Sequence, residues 1–409
     1  MASLYSTSRG SFEEHRDGSG AGGTARQPAG ERRHSRLRLP VVAVALALLA
    51  TALAVLETDQ AAGPRGHQSL PRAQLPLSAP TPRTSPSRPG TARHVPLQAP
   101  GWGIAGGVGI GVYAGPGDVA GAYALQDYLG LPVRYAMDFF SNASWASITQ
   151  PTWVLGRWAG SGFTRIWGVP MLPGSGATLQ AGARGAYDSY FAALARLLVQ
   201  SNQSTALLVL GWDADLPGLP WSATTPTEAA WYVAYWRHIV SAMRAVPGAR
   251  FQFVWDAAQT STGIGPEAIY PGNAYVDIIA TDVLQQELAA GASPGQGPPA
   301  ATTVTPQQQW AMLLNVSYGL EWFAELAALH SKPLAIDKWG LAPQGAGPAG
   351  SDDPYFVTHL LAWMTAHSVL YGVIWDYGTW SITSGAFPLS AAALRHTLRS
   401  EERGSASSH

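Results

Sequence analysis

The chain of 409 residues contains no cysteine. Disulfides, thiol nucleophiles and cysteine-ligated zinc are therefore excluded. The net charge is only −1, so composition gives no electrostatic reason to expect nucleic acid as a partner. No phosphate-binding loop, Ser–His–Asp order or His-x-x-x-His pair occurs either. We therefore predict neither a cofactor nor a metal.

Tryptophan, by contrast, is abundant, with 16 residues in the chain. Most large apolar side chains are buried, so a core role is the first interpretation. Tryptophan at strand ends can also stack on the apolar C–H faces of sugars. Both interpretations stay open at this point.

The first hundred residues divide into three segments by composition. Residues 1–36 are polar and without periodicity, which predicts a disordered cytoplasmic tail. Residues 37–57 contain an uncharged apolar run, 41–56, which follows a cluster of arginines. This pattern predicts either a single-pass anchor in the cell membrane, with the rest of the chain outside the cytoplasm, or a cleaved signal peptide and secretion. The long preceding tail favours the anchor. Residues 58–100 are rich in Pro and Ser and predict an extended linker.

Residues 101–399 alternate short apolar runs with helical patterns, and a disordered tail is predicted for 400–409. Such alternation indicates βαβ units around a parallel sheet. Eight candidate strands fit a (β/α)8 TIM barrel. They are Val108–Tyr113, Val133–Asp138, Phe163–Val169, Ala206–Trp212, Phe251–Trp255, Val276–Thr281, Pro333–Asp337 and Gly372–Asp376.

Helices are predicted between these strands. The clearest follows the fourth strand, where Thr225 and Glu228 form a capping box with Pro226 at the first helical position. Helical patterns also cover Ala183–Val199 and Gln307–Leu329.

Two strands end in the same unusual way, with charge beside tryptophan. The fourth runs into Gly211-Trp212-Asp213-Ala214-Asp215, and the seventh into Asp337-Lys338-Trp339-Gly340. These ends resemble the two catalytic strands of glycoside hydrolase family 26, the β-mannanase-like barrels. The resemblance extends from about Gly109 to about Arg395.

The resemblance implies a role for each of two positions, and this sequence departs from both. In that family the first strand usually ends Gly-Trp-Glu-x-Asn-Gly, and its Glu is the general acid/base. The second usually ends Glu-Trp-Gly, and its Glu is the nucleophile. Here Asp213 stands at the acid/base position and Lys338 at the nucleophile position. An ammonium offers no lone pair at neutral pH, and its charge opposes an oxocarbenium-like transition state.

Further residues near strand ends are candidates for binding sugar, because the carboxyl ends of the strands of such a barrel meet at one mouth. They are Asp138, Trp212, Asp215, Trp221, Trp255, Asp256, Asp282, Trp339, Trp375 and Asp376.

We expect Lys338 to pair with Asp213 within about 4 Å, since an unpaired ammonium in a partly desolvated mouth is costly. Asp256 and Asp282 are substitute partners. Such a pair should lower the pKa of its aspartate. If Lys338 faces the mouth, Asp337 should face the helices, since successive strand residues point to opposite sides. A one-residue shift that exchanges the two is the alternative.

Three functions remain open from the sequence. The first is a membrane-tethered barrel that binds a polysaccharide or oligosaccharide, with hydrolysis lost or crippled. The second is an active glycosidase of endo-β-mannanase or β-glucanase type, using Asp213 and another rim carboxylate. The third is a structural or interaction module without a sugar ligand.

Overall fold

Eight parallel strands pair in sequence order and close into a barrel, with β8 hydrogen-bonded to β1. The computed structural model describes residues 108–259, 263–285, 305–343 and 352–406. The closed barrel confirms the predicted (β/α)8 fold. The strands are β1 Gly109–Tyr113, β2 Tyr135–Phe139, β3 Thr164–Val169, β4 Leu207–Leu210, β5 Gln252–Ala257, β6 Ile278–Leu284, β7 Leu334–Gly340 and β8 Tyr371–Trp375.

Helices follow the strands and cover the outside of the barrel. They are α1 Val119–Leu129, α2 Trp145–Thr149, α3 Thr152–Trp158, α4 Leu179–Gly182, α5 Asp188–Gln200, α6 Pro226–Arg244, α7 Pro306–Asn315, α8 Leu320–His330, α9 Pro354–Ala366 and α10 Pro388–Ala406. Short 3-10 turns lie at Pro266–Ile269, Gly378–Trp380 and Ile382–Ser384.

The helix predicted after β4 begins as the sequence indicates. The hydroxyl of Thr225 accepts a hydrogen bond from the amide of Glu228, and the Glu228 carboxylate accepts one from the Thr225 amide at 3.0 Å. The buried face of α6 also binds the segment that follows β3, since the Tyr235 hydroxyl donates a hydrogen bond to the carbonyl of Met171 at 2.6 Å. The capping box is confirmed.

The pattern over Gln307–Leu329 forms two helices, α7 and α8, instead of one. The chain turns between them at Gly319, which lies against the carbonyls that end α7. A Cβ at Gly319 would stand 2.5 Å from the carbonyl oxygen of Leu314 and 2.6 Å from that of Leu313. Only glycine allows this approach.

The chain ends differ from the predicted boundaries in one respect. Helix α10 continues to Ala406, past the predicted boundary at residue 399. The apolar run 41–56 and the linker 58–100 lie outside the described residues. Among the residues that the structure describes, no helix has both the length and the apolar character that a membrane span requires.

Strand β7 is irregular between Ile336 and Trp339. Ile336 of β7 lies opposite Gly372 of β8, and Trp339 lies opposite Ile374. Between these two pairs β7 contains one residue more than β8. An extra residue of this kind is a β-bulge, which re-aims side chains locally. Asp337 and Lys338 consequently both point into the barrel, and Trp339 points out to the helices.

A small residue is required where β3 meets β2. A Cβ added to Gly168 would overlap the ring of Phe139. Gly168→Ala should therefore destabilise the fold by about 1–3 kcal/mol, the usual cost of overpacking. The measurement is the free energy of unfolding in urea. Gly156→Ala is the control, since a Cβ there meets no atom within 4 Å and α3 should gain about 0.5–1 kcal/mol. Equal effects at the two positions would contradict the packing argument.

Candidate functional site

The ammonium of Lys338 lies at the centre of a group of carboxylates at the mouth of the barrel. It forms an ion pair with Asp282, and it stands 3.7 Å from one carboxylate oxygen each of Asp213 and Asp256. The Lys338 side chain is 7% exposed. The expected approach to Asp213 is confirmed, but Asp282 is the closer partner.

Strand register brings these groups together. Asp282 on β6 is paired directly with Lys338 on β7. Asp256 lies near the end of β5 and Asp213 follows the end of β4. Four consecutive strands of the barrel therefore supply one side chain each to the same end.

Asp213 depends on an unusual backbone conformation. Its φ is +51°, in the left-handed region, which aspartate tolerates better than most residues. The turn that contains Asp213 is stabilised by Trp221, whose indole donates a hydrogen bond to the carbonyl of Trp212 at 2.8 Å. Asp215 follows, fully buried, with one carboxylate oxygen accepting from the Ala258 amide at 3.2 Å.

Asp337 adds a further carboxylate on the interior side. Its Oδ1 accepts a hydrogen bond from the Tyr371 hydroxyl at 2.5 Å. The ring of Tyr371 in turn packs 5.0 Å from that of Tyr135 on β2. The prediction that Asp337 faces the helices is therefore wrong, because the bulge in β7 breaks the alternation on which the prediction depended.

Burial sets the ionisation of the cluster. It raises the pKa of Asp282 to about 8 and that of Asp337 to about 6, against the opposing influence of Lys338. Burial also raises the pKa of Asp256 and of Asp215. The expectation that the ion pair would lower the pKa of its aspartate is wrong for Asp282, the closest partner, because desolvation outweighs attraction to the ammonium.

Lys338 itself keeps its charge. Burial disfavours the ammonium, but the carboxylates of Asp282, Asp213 and Asp256 outweigh that cost and raise its pKa above the usual value. A charged Lys338 cannot serve as a nucleophile.

The opposite half of the mouth is aromatic. The rings of Trp375 and Tyr113 are 4.2 Å apart, and those of Phe139 and Trp212 are 5.1 Å apart. Trp375 is partly exposed, while the other three are buried. The mouth therefore combines an apolar wall from β1, β2, β4 and β8 with a charged wall from β4 to β7.

Two of the aspartates predicted to bind sugar are engaged by other parts of the chain. Asp138 points into the helix layer, where it accepts from the Trp158 indole at 2.6 Å and the Gly117 amide at 2.7 Å. Asp376 accepts from the Ser381 and Thr383 hydroxyls and fixes the chain after β8. Both carboxylates have structural partners.

Three predicted tryptophans are also core residues. Trp255 packs against Tyr270, with ring centroids 5.2 Å apart, and Trp339 lies under α9, 6.5 Å from the ring of Phe356. Trp221 is wholly buried beneath Trp212. Trp255 and Trp339 each adjoin an inward-facing charged residue, so strand alternation turns them outward.

The sequence interpretation missed Asp337, Tyr113 and Phe139. The alternation Tyr135, Met137, Phe139 in β2 is a signal that could have identified Phe139 as an inward residue. Nothing in the sequence marks the bulge that turns Asp337 inward.

Comparisons with known proteins identify no family directly. No family model and no curated protein matches this chain. Among solved structures, a glycoside hydrolase family 26 β-mannanase from Bacteroides ovatus aligns with 14% identity, a TM-score of 0.49 and coverage of 72% of this chain and 89% of that one. A Bacillus subtilis mannanase aligns with 16% identity, a TM-score of 0.48 and coverage of 71% and 85%.

A modular endo-β-1,4-mannanase from Cellulomonas fimi gives 16% identity, a TM-score of 0.48 and coverage of 71% of this chain and 70% of that one. Likeness at this level carries no argument about activity. The barrel follows from the strand pairing of this chain alone.

The raised pKa of Asp282 predicts how stability depends on pH. The folded state holds the proton more tightly than the unfolded state, whose pKa is near 3.8, so stability should fall as pH rises from about 4 to about 8. We expect the thermal midpoint to be several degrees lower at pH 8.5 than at pH 6, since ~1 kcal/mol shifts it by ~2–4 °C in domains of this size.

Asp282→Asn cannot ionise and should flatten this pH dependence, measured by thermal unfolding across the range. Asp127→Asn, on the exposed surface of α1, is the control and should leave the slope unchanged. A slope that survives Asp282→Asn intact would assign the effect to other groups.

Proposed function

We propose that this protein is an extracytoplasmic, glycoside hydrolase family 26-like barrel that binds a polysaccharide or oligosaccharide and has lost hydrolysis. The observation that carries the proposal is the ion pair of Lys338 with Asp282 at the position where the family resemblance implies a nucleophile. The ammonium lies within 3.7 Å of the acid/base position as well.

Retaining hydrolysis needs two carboxyl groups about 5 Å apart, one to protonate the leaving oxygen and one to attack the anomeric carbon. Lys338 supplies neither function, because it stays protonated. Asp213 is one methylene shorter than the glutamate it replaces, which withdraws its proton from the glycosidic oxygen. A displacement on the order of 1 Å can cost about 100-fold in rate.

The aromatic wall supports sugar binding. Trp375 is partly exposed at the mouth and is backed by Tyr113, with ring centroids 4.2 Å apart. A flat, supported indole suits the C–H face of a hexose, and carboxylates on the facing wall can accept hydrogen bonds from its hydroxyls.

The amino-terminal sequence supports the location. The apolar run 41–56 follows basic residues, so it would place the barrel outside the cytoplasm. The Pro-rich linker 58–100 would then hold the barrel away from the membrane. Release after signal cleavage is the alternative.

One observation favours a second candidate, an active glycosidase. The pKa of Asp282 is raised to about 8, so its carboxyl is protonated at neutral pH, as a general acid requires. One carboxylate oxygen of Asp213 lies within 4.8 Å of one of Asp282, close to the separation of about 5 Å that retaining enzymes use, so this pair is the arrangement the candidate requires.

The test measures turnover and binding on one panel of β-mannans and β-glucans, with the full-length chain in nanodiscs. We expect no release of reducing sugar and measurable binding to at least one polymer. Trp375→Ala should weaken that binding about tenfold or more, since truncation of an anchoring Trp commonly costs more than ~1 kcal/mol. Trp322→Ala is the matched control, because Trp322 is also partly exposed but packs on Tyr318 in the helix layer.

The outcomes separate the three functions. Turnover by the unmodified protein, abolished by Asp282→Asn, would replace the proposal with the active enzyme. Absence of both turnover and binding across the panel would leave an interaction module without a sugar ligand.

A further inference from the structure

We propose that Asp213, Asp256 and Asp282 form a divalent cation site, suited to Ca²⁺, that the chain fills with its own Lys338 ammonium. One carboxylate oxygen from each aspartate lies within 4.8 Å of the other two. The Lys338 nitrogen lies among these three carboxylates. This inference is independent of sugar binding.

The carboxyl groups around the ammonium outnumber it. The three carboxyl groups of Asp213, Asp256 and Asp282 share the one Lys338 ammonium, and each is buried. The group therefore offers more oxygen ligands than one ammonium uses.

Unused acceptor oxygens give independent support. Both carboxylate oxygens of Asp256 are buried and accept no hydrogen bond, and the same holds for one oxygen each of Asp282 and Asp215. Asp256 is 0% exposed and stands 3.7 Å from the Lys338 nitrogen. Buried acceptors without donors, directed at a cation, have the character of metal ligands.

The oxygen spacing and chemistry select the class of ion. Carboxylate oxygens are hard ligands and prefer Ca²⁺ or Mg²⁺ to softer metals. A span of up to 4.8 Å between oxygens fits Ca²⁺, which holds them at about 2.3–2.6 Å, better than Mg²⁺, which needs about 2.0–2.1 Å. Because the ammonium already occupies this space, the native protein should not need the ion.

The test removes the ammonium and supplies the metal. Lys338→Gln should bind Ca²⁺ with Kd about 10⁻⁴–10⁻³ M, the range of weak oxygen sites. Ca²⁺ should then raise its thermal midpoint relative to EDTA, and Tb³⁺ should give tryptophan-sensitised luminescence that Ca²⁺ displaces. The unmodified full-length chain should show neither effect at 10 mM Ca²⁺, about tenfold above that range.

Two control variants define the site. The chain has only one other lysine, Lys332, whose ammonium donates to the Asn273 carbonyl at 2.8 Å on the surface. Lys332→Gln should behave as the unmodified protein. Adding Asp256→Asn to Lys338→Gln should weaken Ca²⁺ binding at least tenfold.

Each remaining outcome overturns the proposal. A folded Lys338→Gln variant without a Ca²⁺ response shows that the three aspartates do not form a site. Equal binding by the unmodified chain shows that the ammonium does not fill it. Should Lys338→Gln fail to fold, Lys338→Met is compared in Ca²⁺ and EDTA, and failure of both variants to fold in 10 mM Ca²⁺ also contradicts the proposal, since calcium should replace the lost charge.

Discussion

A buried ammonium held among carboxylates governs the mouth of this barrel. Lys338 and its partners are almost fully desolvated, so each group is tolerable only because the others are present. Removing any one partner would leave uncompensated charge in the core. The same condition constrains function, because a lysine fixed as a cation is withdrawn from nucleophilic chemistry.

The bulge in β7 makes this arrangement possible. In a regular strand only one of Asp337 and Lys338 could enter the barrel, and the other would meet the apolar helix layer. The extra residue admits both, so Tyr371 binds the Asp337 carboxylate while the Lys338 ammonium reaches Asp282 on the neighbouring strand. A local irregularity in hydrogen bonding thus decides the electrostatics of the whole site.

The architecture of the barrel can be predicted from the sequence more reliably than the orientation of individual side chains. Apolar runs identify all eight strands, because burial on both faces leaves a strong signal. The convergence of Asp213, Asp256, Asp282 and Lys338 follows as well, since strand ends in a closed parallel barrel share one rim. Trp255 and Trp339 are misplaced because a one-residue step reverses the face of a strand. The raised pKa of Asp282 could not be predicted from the sequence, because its desolvation depends on packing by many residues that are distant along the chain.

The two walls of the mouth come from largely different strands. The aromatic wall comes from β1, β2, β4 and β8, whereas the substituted positions lie after β4 and on β7. Stacking on an indole requires no ionisable group, so a lysine at position 338 leaves the wall around Trp375 intact. The Lys338 ammonium also forms ion pairs with the facing carboxylates. The charged cluster and the aromatic wall are therefore built from different positions of one mouth, so that the residues of the cluster can change while the aromatic wall stays in place.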